Sequence, residues 1–218
     1  MQRVAVLGLG HFGFHVATTL HELGNEVIAL DSDREKVQEI MHKVTKAVVA
    51  DATERKVLEE LGIKDVDVAV ISFGTNFEAC ILATLYLYEL GIPRVVVKAV
   101  SEDQGKILER IGASEVIHPE RDSAIKTARR ISSPNLVDYL PLALDYGIIE
   151  INTPQAFVGK TLAELQLRNQ YEVQVLAIKS RHGGAERFVP KANHELSEDD
   201  ILVIMGPIRE LEALQKLD

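Results

Sequence analysis

The fold turns on Val4-Ala5-Val6-Leu7-Gly8-Leu9-Gly10-His11-Phe12-Gly13 and on the helical pattern that runs on from it. The stretch opens as a short apolar run of the kind buried on both faces of a parallel sheet. It passes directly into Gly8-Leu9-Gly10-His11-Phe12-Gly13, a G-x-G-x-x-G. From Phe12 the apolar positions Phe12, Val16, Ala17, Leu20 and Leu23 recur at helical spacing until Gly24-Asn25 stops them. Three glycines between a strand and a helix have a physical use. The first permits a tight turn, the second lets backbone approach a pyrophosphate, and the third allows close helix–strand packing. The helix N-terminus then offers N–H groups and a dipole to the anion.

Reading outward, residues 27–30 form a second strand that ends at Asp31, close to the spacing of about 20 residues expected of a ribose-binding carboxylate. Its charge repels a 2′-phosphate, so adenine nucleotides or NAD(H) fit better than NADP(H). Ser32 with Glu35 has the form of a capping box, opening a helix through Met41. Strands are expected at residues 46–50, 67–72, 94–98 and 115–118, each followed by a helical pattern. The helix at 77–90 is apolar on most sides and ends at Gly91, and Ser101 with Gln104 caps the next one. A last helix runs to about Ile131. Strands alternating with helices need crossover connections and give a parallel sheet covered on both faces. The handedness of such crossovers makes residues 1–132 a doubly wound α/β Rossmann domain.

In such sheets ligands bind beyond the carboxyl ends of the strands. That places Asp51, Ala52 and Thr53 after strand three, and Ser72, Phe73, Gly74 and Asn76 at the end of strand four. Lys98 closes strand five, and His118 and Glu120 flank the end of strand six. Asp51 either receives an adenine amino group or caps its helix. Lys98 either meets a phosphate or is a solvated strand end, and Glu120 either binds a metal ion or caps its helix. Cys80 lies on the apolar helix and is expected in the core.

Ser132-Ser133-Pro134-Asn135 breaks the alternation. Residues 136–144 are expected as a linking helix interrupted by Pro141, which makes 133–147 a linker and crossover segment. Residues 148–218 then form a small α+β domain, with strands at 148–151, 173–178 and 201–205, a Gly-containing turn at 181–185 and a terminal helix at 208–217. Nothing after Ser132 supplies a clear acid/base pair. His182 and His194 have the setting of surface histidines, Gly159-Lys160-Thr161 lacks the upstream glycine of a P-loop, and no metal-ligand spacing is present. The residues therefore describe a nucleotide-binding module without visible catalysis, with an NAD(H)-dependent oxidoreductase as the alternative.

Composition narrows the classes further. The 218 residues carry 24 Lys and Arg against 33 Asp and Glu, a formal net charge of −9. This disfavours nucleic acid as a partner, since phosphate neutralisation needs a basic face. No apolar run has the ~20 residues of a membrane span, and the first apolar run, Val4-Ala5-Val6-Leu7, ends in glycines and reads as a strand rather than a signal peptide. One cysteine excludes an internal disulfide. The expected setting is the cytosol.

The glycine loop, Asp31, Asp51-Ala52-Thr53 and Val116-Ile117-His118-Pro119-Glu120-Arg121-Asp122 together resemble the RCK proteins of the KtrA/TrkA family, regulators of potassium transport. Gly159-Lys160-Thr161-Leu162-Ala163-Glu164-Leu165, Leu176-Ala177-Ile178-Lys179 and Asp200-Ile201-Leu202-Val203-Ile204-Met205-Gly206 resemble the TrkA-C (RCK-C) domain. The resemblance implies a non-enzymatic, cytosolic gating subunit at the inner face of the cell membrane. It implies a homo-oligomer, from dimer to octameric ring, under an integral-membrane potassium-translocating subunit. ATP or ADP, with NAD(H) in some members, is the implied ligand of the Rossmann site, and Glu120 the implied ligand of a cation such as magnesium. For the second domain it implies cyclic di-AMP near Arg168, Asn169 and Pro190. His11 stands where close relatives often carry an arginine that meets the γ-phosphate. Neutral imidazole offers one donor against the five of a guanidinium and no fixed charge, which weakens the expected preference for ATP over ADP.

Overall fold

The computed structural model describes residues 1–133, 135–142, 145–183 and 187–217. The chain divides into two compact units, Met1–Glu120 and Arg121–Asp218. The first alternates strand and helix: β1 (Arg3–Leu7), α1 (His11–Glu22), β2 (Glu26–Asp31), α2 (Arg34–Ile40), β3 (Lys46–Val49), α3 (Arg55–Glu60), β4 (Val68–Ile71), α4 (Phe77–Glu89), β5 (Arg94–Lys98), α5 (Glu102–Arg110) and β6 (Glu115–Ile117). Helix α6 (Pro119–Ser132) begins in the first unit and continues into the second. The six strands pair in parallel in the order β3-β2-β1-β4-β5-β6. That is the doubly wound Rossmann order, with the strand order reversing between β1 and β4.

Both faces of this sheet are core. Along β1, Ala5 and Leu7 join one apolar cluster, while Val4 and Val6 join the cluster on the other side. Strands β2 and β4 divide in the same way. This alternation explains why the strands are apolar at every position rather than at every second one. Cys80 is buried in the first cluster, as its place on α4 implied.

The second unit consists of β7 (Leu136–Pro141), β8 (Tyr146–Asn152), a short 3-10 turn at Gln155–Phe157, α7 (Leu162–Leu165), α8 (Leu167–Tyr171), β9 (Gln174–Ser180), β10 (Arg187–Phe188), β11 (Asp200–Pro207) and α9 (Ile208–Gln215). Its strands form an antiparallel sheet in the order β10-β9-β11-β8-β7. Ile149, Ile151, Leu202 and Ile204 on one face pack with Leu211 and Leu214 of α9 and with Leu165 and Leu167.

Three expectations need correction. Residues 136–141 are not a linking helix but strand β7, paired with β8. The division between units falls within α6, ahead of the segment expected as a linker. Helix α2 is capped by Asp33, whose carboxylate accepts from the Glu35 N–H at 2.9 Å, so Ser32 is not its cap. Strand β10 was not expected. Residues 143 and 144 of the expected helix and 184 and 185 of the expected turn lie outside the described residues.

Candidate functional site: the glycine loop and the strand ends around it

The three glycines differ in what surrounds them. Gly8 has φ +94°, and a Cβ there would stand 2.6 Å from the Ser72 carbonyl oxygen and 2.9 Å from the Phe73 ring. A Cβ on Gly13 would stand 1.9 Å from the Gly8 carbonyl oxygen, so α1 approaches the turn as closely as backbone allows. Around Gly10 nothing lies within 4 Å of the Cβ position, and its φ of −63° is ordinary. Two glycines are thus required by the fold, while the one between them leaves an open approach to the backbone.

That approach leads to the start of α1. Gly10 contributes no side-chain cap, and the first main-chain bond of the helix runs from the Phe14 N–H to the Gly10 carbonyl at 2.9 Å. The N–H groups of the first turn therefore keep their donor capacity for an anion. Helices α4 and α5, by contrast, are closed by the Asn76 and Ser101 side chains, which accept from Ala79 N–H (3.1 Å) and Gln104 N–H (3.3 Å). His11 is the first residue of α1 and is exposed.

Main-chain bonds bring the neighbouring strand ends to the loop. The Gly8 N–H donates to Leu30 O at 2.8 Å and the Ser72 N–H to Leu7 O at 2.7 Å. Asp31 is tied in by its side chain: Oδ2 accepts from the Leu9 N–H at 2.6 Å and Oδ1 from the Asp33 N–H at 2.9 Å. Lys36 of α2 lies 3.7 Å from Asp31 Oδ2, a neighbour that sequence reading missed. Ser32 sits exposed beside this carboxylate.

Asp51 accepts twice from Thr53, from its N–H at 2.9 Å and its hydroxyl at 2.7 Å, and both bonds fall on Oδ1. These bonds hold the Asp51 carboxyl below the usual carboxylate range. Ala52 is buried and packs in the core under β1 and β2. Gly74, at φ +61°, turns the chain after β4 toward α4.

Lys98 and Glu120 come together as partners. Their side chains form an ion pair between Lys98 Nζ and Glu120 Oε1, and Lys98 also lies 5.8 Å from the Phe12 ring centroid. The ammonium beside it is the main reason the Glu120 carboxyl sits below its ordinary value, and the residue's own N–H adds to the effect. Burial pushes the Cys80 thiol up, against a Phe73 backbone hydrogen bond and the Lys98 charge. The His118 ring packs on α5, 3.3 Å from where a Cβ on Gly105 would stand.

Among the described residues no group of three or more His, Cys, Asp or Glu side chains comes together. In the second unit Arg168 and Asn169 are exposed on α8, and Pro190 follows Val189, which has φ +50°.

The pairing of Lys98 with Glu120 was legible in principle. Neighbouring parallel strands end side by side, and Lys98 pairs in register with Ile117, three residues before Glu120.

Residues 4–119 match the TrkA-N domain and residues 147–217 the TrkA-C domain. The chain belongs to the KtrA/TrkA family. It is 38% identical to the Ktr system potassium uptake protein C of Bacillus subtilis (strain 168) over 213 residues, covering 97% of this chain and 95% of that one. It is 37% identical to the Ktr system potassium uptake protein A of the same organism, with 98% and 96% covered. The RCK domain of GsuK shares the fold of this family member at a TM-score of 0.69 with 16% identity, over 99% of this chain and 47% of the GsuK chain. No helix among the described residues is long and apolar enough to cross a membrane.

Proposed function

We propose that this chain is a nucleotide-sensing regulatory subunit of a Ktr-type potassium uptake system. It binds an adenine nucleotide, ATP or ADP with NAD(H) as a further ligand, and does not consume it. Nucleotide occupancy is passed to an integral-membrane potassium-translocating partner at the cytoplasmic face, through a homo-oligomer of this chain.

The observation that carries the reading is the open backbone at Gly10, facing the uncapped first turn of α1 between two glycines the fold requires. A pyrophosphate fits that opening. Asp31 would receive the ribose hydroxyls and the Asp51 carboxylate the adenine amino group, an acceptor that suits adenine and not the carbonyl of guanine. Regulation rather than turnover is supported by the names of the full-length relatives, which are potassium uptake proteins. For the second unit the reading adds cyclic di-AMP at Arg168, Asn169 and Pro190, to be tested by titration of Arg168→Ala.

Calorimetry with ADP, ATP and NADH tests the site, followed by analysis of the ligand after long incubation. The expected result is saturable binding with the nucleotide recovered intact. Asp31→Ala should weaken binding by about 1.5–3 kcal/mol, the worth of charge-assisted hydrogen bonds. Unchanged affinity in that variant removes the ribose assignment. Steady consumption of the nucleotide, or hydride transfer to an added acceptor, returns the oxidoreductase reading. Co-purification with a potassium-translocating membrane protein tests the partner.

A further inference from the structure

Helix α1 carries two histidines one turn apart, His11 and His15, and both are exposed. Residues at i and i+4 lie on one face of a helix, with Cβ atoms about 5–6 Å apart. Two imidazoles at that separation can meet at one ion, with bonds of about 2.0–2.1 Å to zinc. It is the spacing at which a helix presents paired histidines to zinc. Among the described residues neither imidazole has a hydrogen-bond or ion-pair partner. His15 meets the Phe14 ring in a T-shaped contact, 5.6 Å between centroids, which steadies the imidazole without a hydrogen bond. His21, the third histidine of the helix, lies six residues beyond His15, and its Nδ1 stands 3.5 Å from the Thr45 hydroxyl.

The same helix starts without a brace. Gly10 supplies no side-chain cap, and the first main-chain bond runs from the Phe14 N–H to the Gly10 carbonyl. An ion held by His11 and His15 joins the first turn to the second from outside. We propose that these two histidines form a binding site for a divalent transition metal of the zinc type, which staples the uncapped start of α1. Imidazole nitrogen suits such ions, whereas magnesium and calcium take oxygen ligands. The described residues bring no third side chain of the metal-binding kind to the pair. Water fills the remaining positions, so the site is open and exchangeable. The positive end of the helix dipole opposes a cation here, which makes both imidazoles necessary. The site uses none of the strand-end residues, and it stands whether or not the nucleotide-sensing reading holds.

The test is calorimetry of zinc chloride into the full chain, repeated in excess magnesium chloride. Saturable zinc binding is expected, undisturbed by magnesium. His11→Ala and His15→Ala should each weaken it by about tenfold or more, because a chelate then loses its second arm. The double variant should be little weaker than either. Both positions are exposed and alanine favours helix, so the variants keep the fold, which circular dichroism checks. His21→Ala should leave zinc affinity unchanged. Zinc should also raise the melting temperature of the wild type by mass action, reversibly with EDTA, and should not raise that of His15→Ala. An affinity unchanged in His11→Ala or in His15→Ala overturns the proposal. An equal loss in His21→Ala also overturns it and returns zinc to scattered surface histidines, as does a melting temperature raised equally in wild type and His15→Ala.

Discussion

The glycines of the loop differ in what surrounds them, and so they should fail differently. At Gly10 a methyl group points into open space from a backbone of ordinary φ. Gly10→Ala should leave the melting temperature unchanged or raise stability by about 0.4–1 kcal/mol through the unfolded state. Under the proposed reading the same methyl group would stand in the approach of a pyrophosphate and should weaken nucleotide binding about tenfold or more. At Gly13 the methyl group would collide with the Gly8 carbonyl 1.9 Å away, which is backbone and cannot step aside. Gly13→Ala should therefore destabilise the fold by about 3 kcal/mol. Denaturant unfolding with ADP titration separates the two. A Gly10→Ala protein that binds ADP normally would remove the loop from the ligand site, and a Gly13→Ala protein of normal stability would contradict the packing. Asp31 would combine both roles, because the carboxylate proposed to receive ribose also accepts from the Leu9 N–H. Stability must be measured beside affinity in any Asp31 variant.

At the scale of elements, α6 meets β7 through charge. Lys126 Nζ lies 2.8 Å from Asp138 Oδ1, and the Arg129 guanidinium stands over the Tyr139 ring at 4.8 Å. Lys126 is the main cause that holds the Asp138 carboxyl below the usual carboxylate range, helped by the Tyr139 N–H and Arg130. A carboxylate whose folded pKa is depressed stabilises the fold above its unfolded value, and the contribution disappears as pH falls through the folded value. Both side chains are about half exposed, so screening limits the pair to about 0.2–1 kcal/mol. The stability difference between wild type and Lys126→Ala should be present at pH 7 and disappear in acid, as pH falls below the depressed folded value of Asp138. A difference that persists in acid would mean that the lysine stem, not its charge, does the holding. Strand β7 also shows where sequence reading fails. Leu136, Tyr139 and Leu140 have the i, i+3, i+4 spacing of a helix. In the fold, a register shift between Leu136 and Asp138 brings Leu136 and Tyr139 to the core side, while Leu140 is exposed. One bulge had imitated a helical period. Pro141 is tolerated because it ends an edge strand. The Rossmann half was legible because its turns are punctuated by glycines and caps and its strands are apolar throughout. The cap of α2 was misplaced by one residue, since Ser32 and Asp33 satisfy the same rule. The Lys98–Glu120 contact was missed because it depends on which strands are neighbours, information that lies in topology rather than in local pattern.

For the whole molecule the decisive question is what covers the apolar surface left on the second unit. Helix α6 has no buried residue, and Ile125 and Ile131 on it are exposed, the latter at 77%. Leu140, Leu142 and Tyr146, around the turn from β7 to β8, are exposed as well. Fourteen residues are a marginal length for a helix that depends on propensity alone. Exposed apolar side chains mark contact surfaces where they adjoin one another. A second copy of the chain is the partner the homo-oligomeric reading supplies. Light scattering should then give a mass that is a multiple of 24.1 kDa, and the melting temperature should rise with protein concentration, because association stabilises the folded state by mass action. Ile131→Asp should shift the population toward the single chain at equal concentration with unchanged helical circular dichroism, since its side chain contributes almost nothing to the fold of one copy. Ile107→Asp, another exposed isoleucine but on α5 of the first unit, is the control for nonspecific effects of added charge. A mass near 24 kDa at every concentration would leave this surface without a homotypic partner.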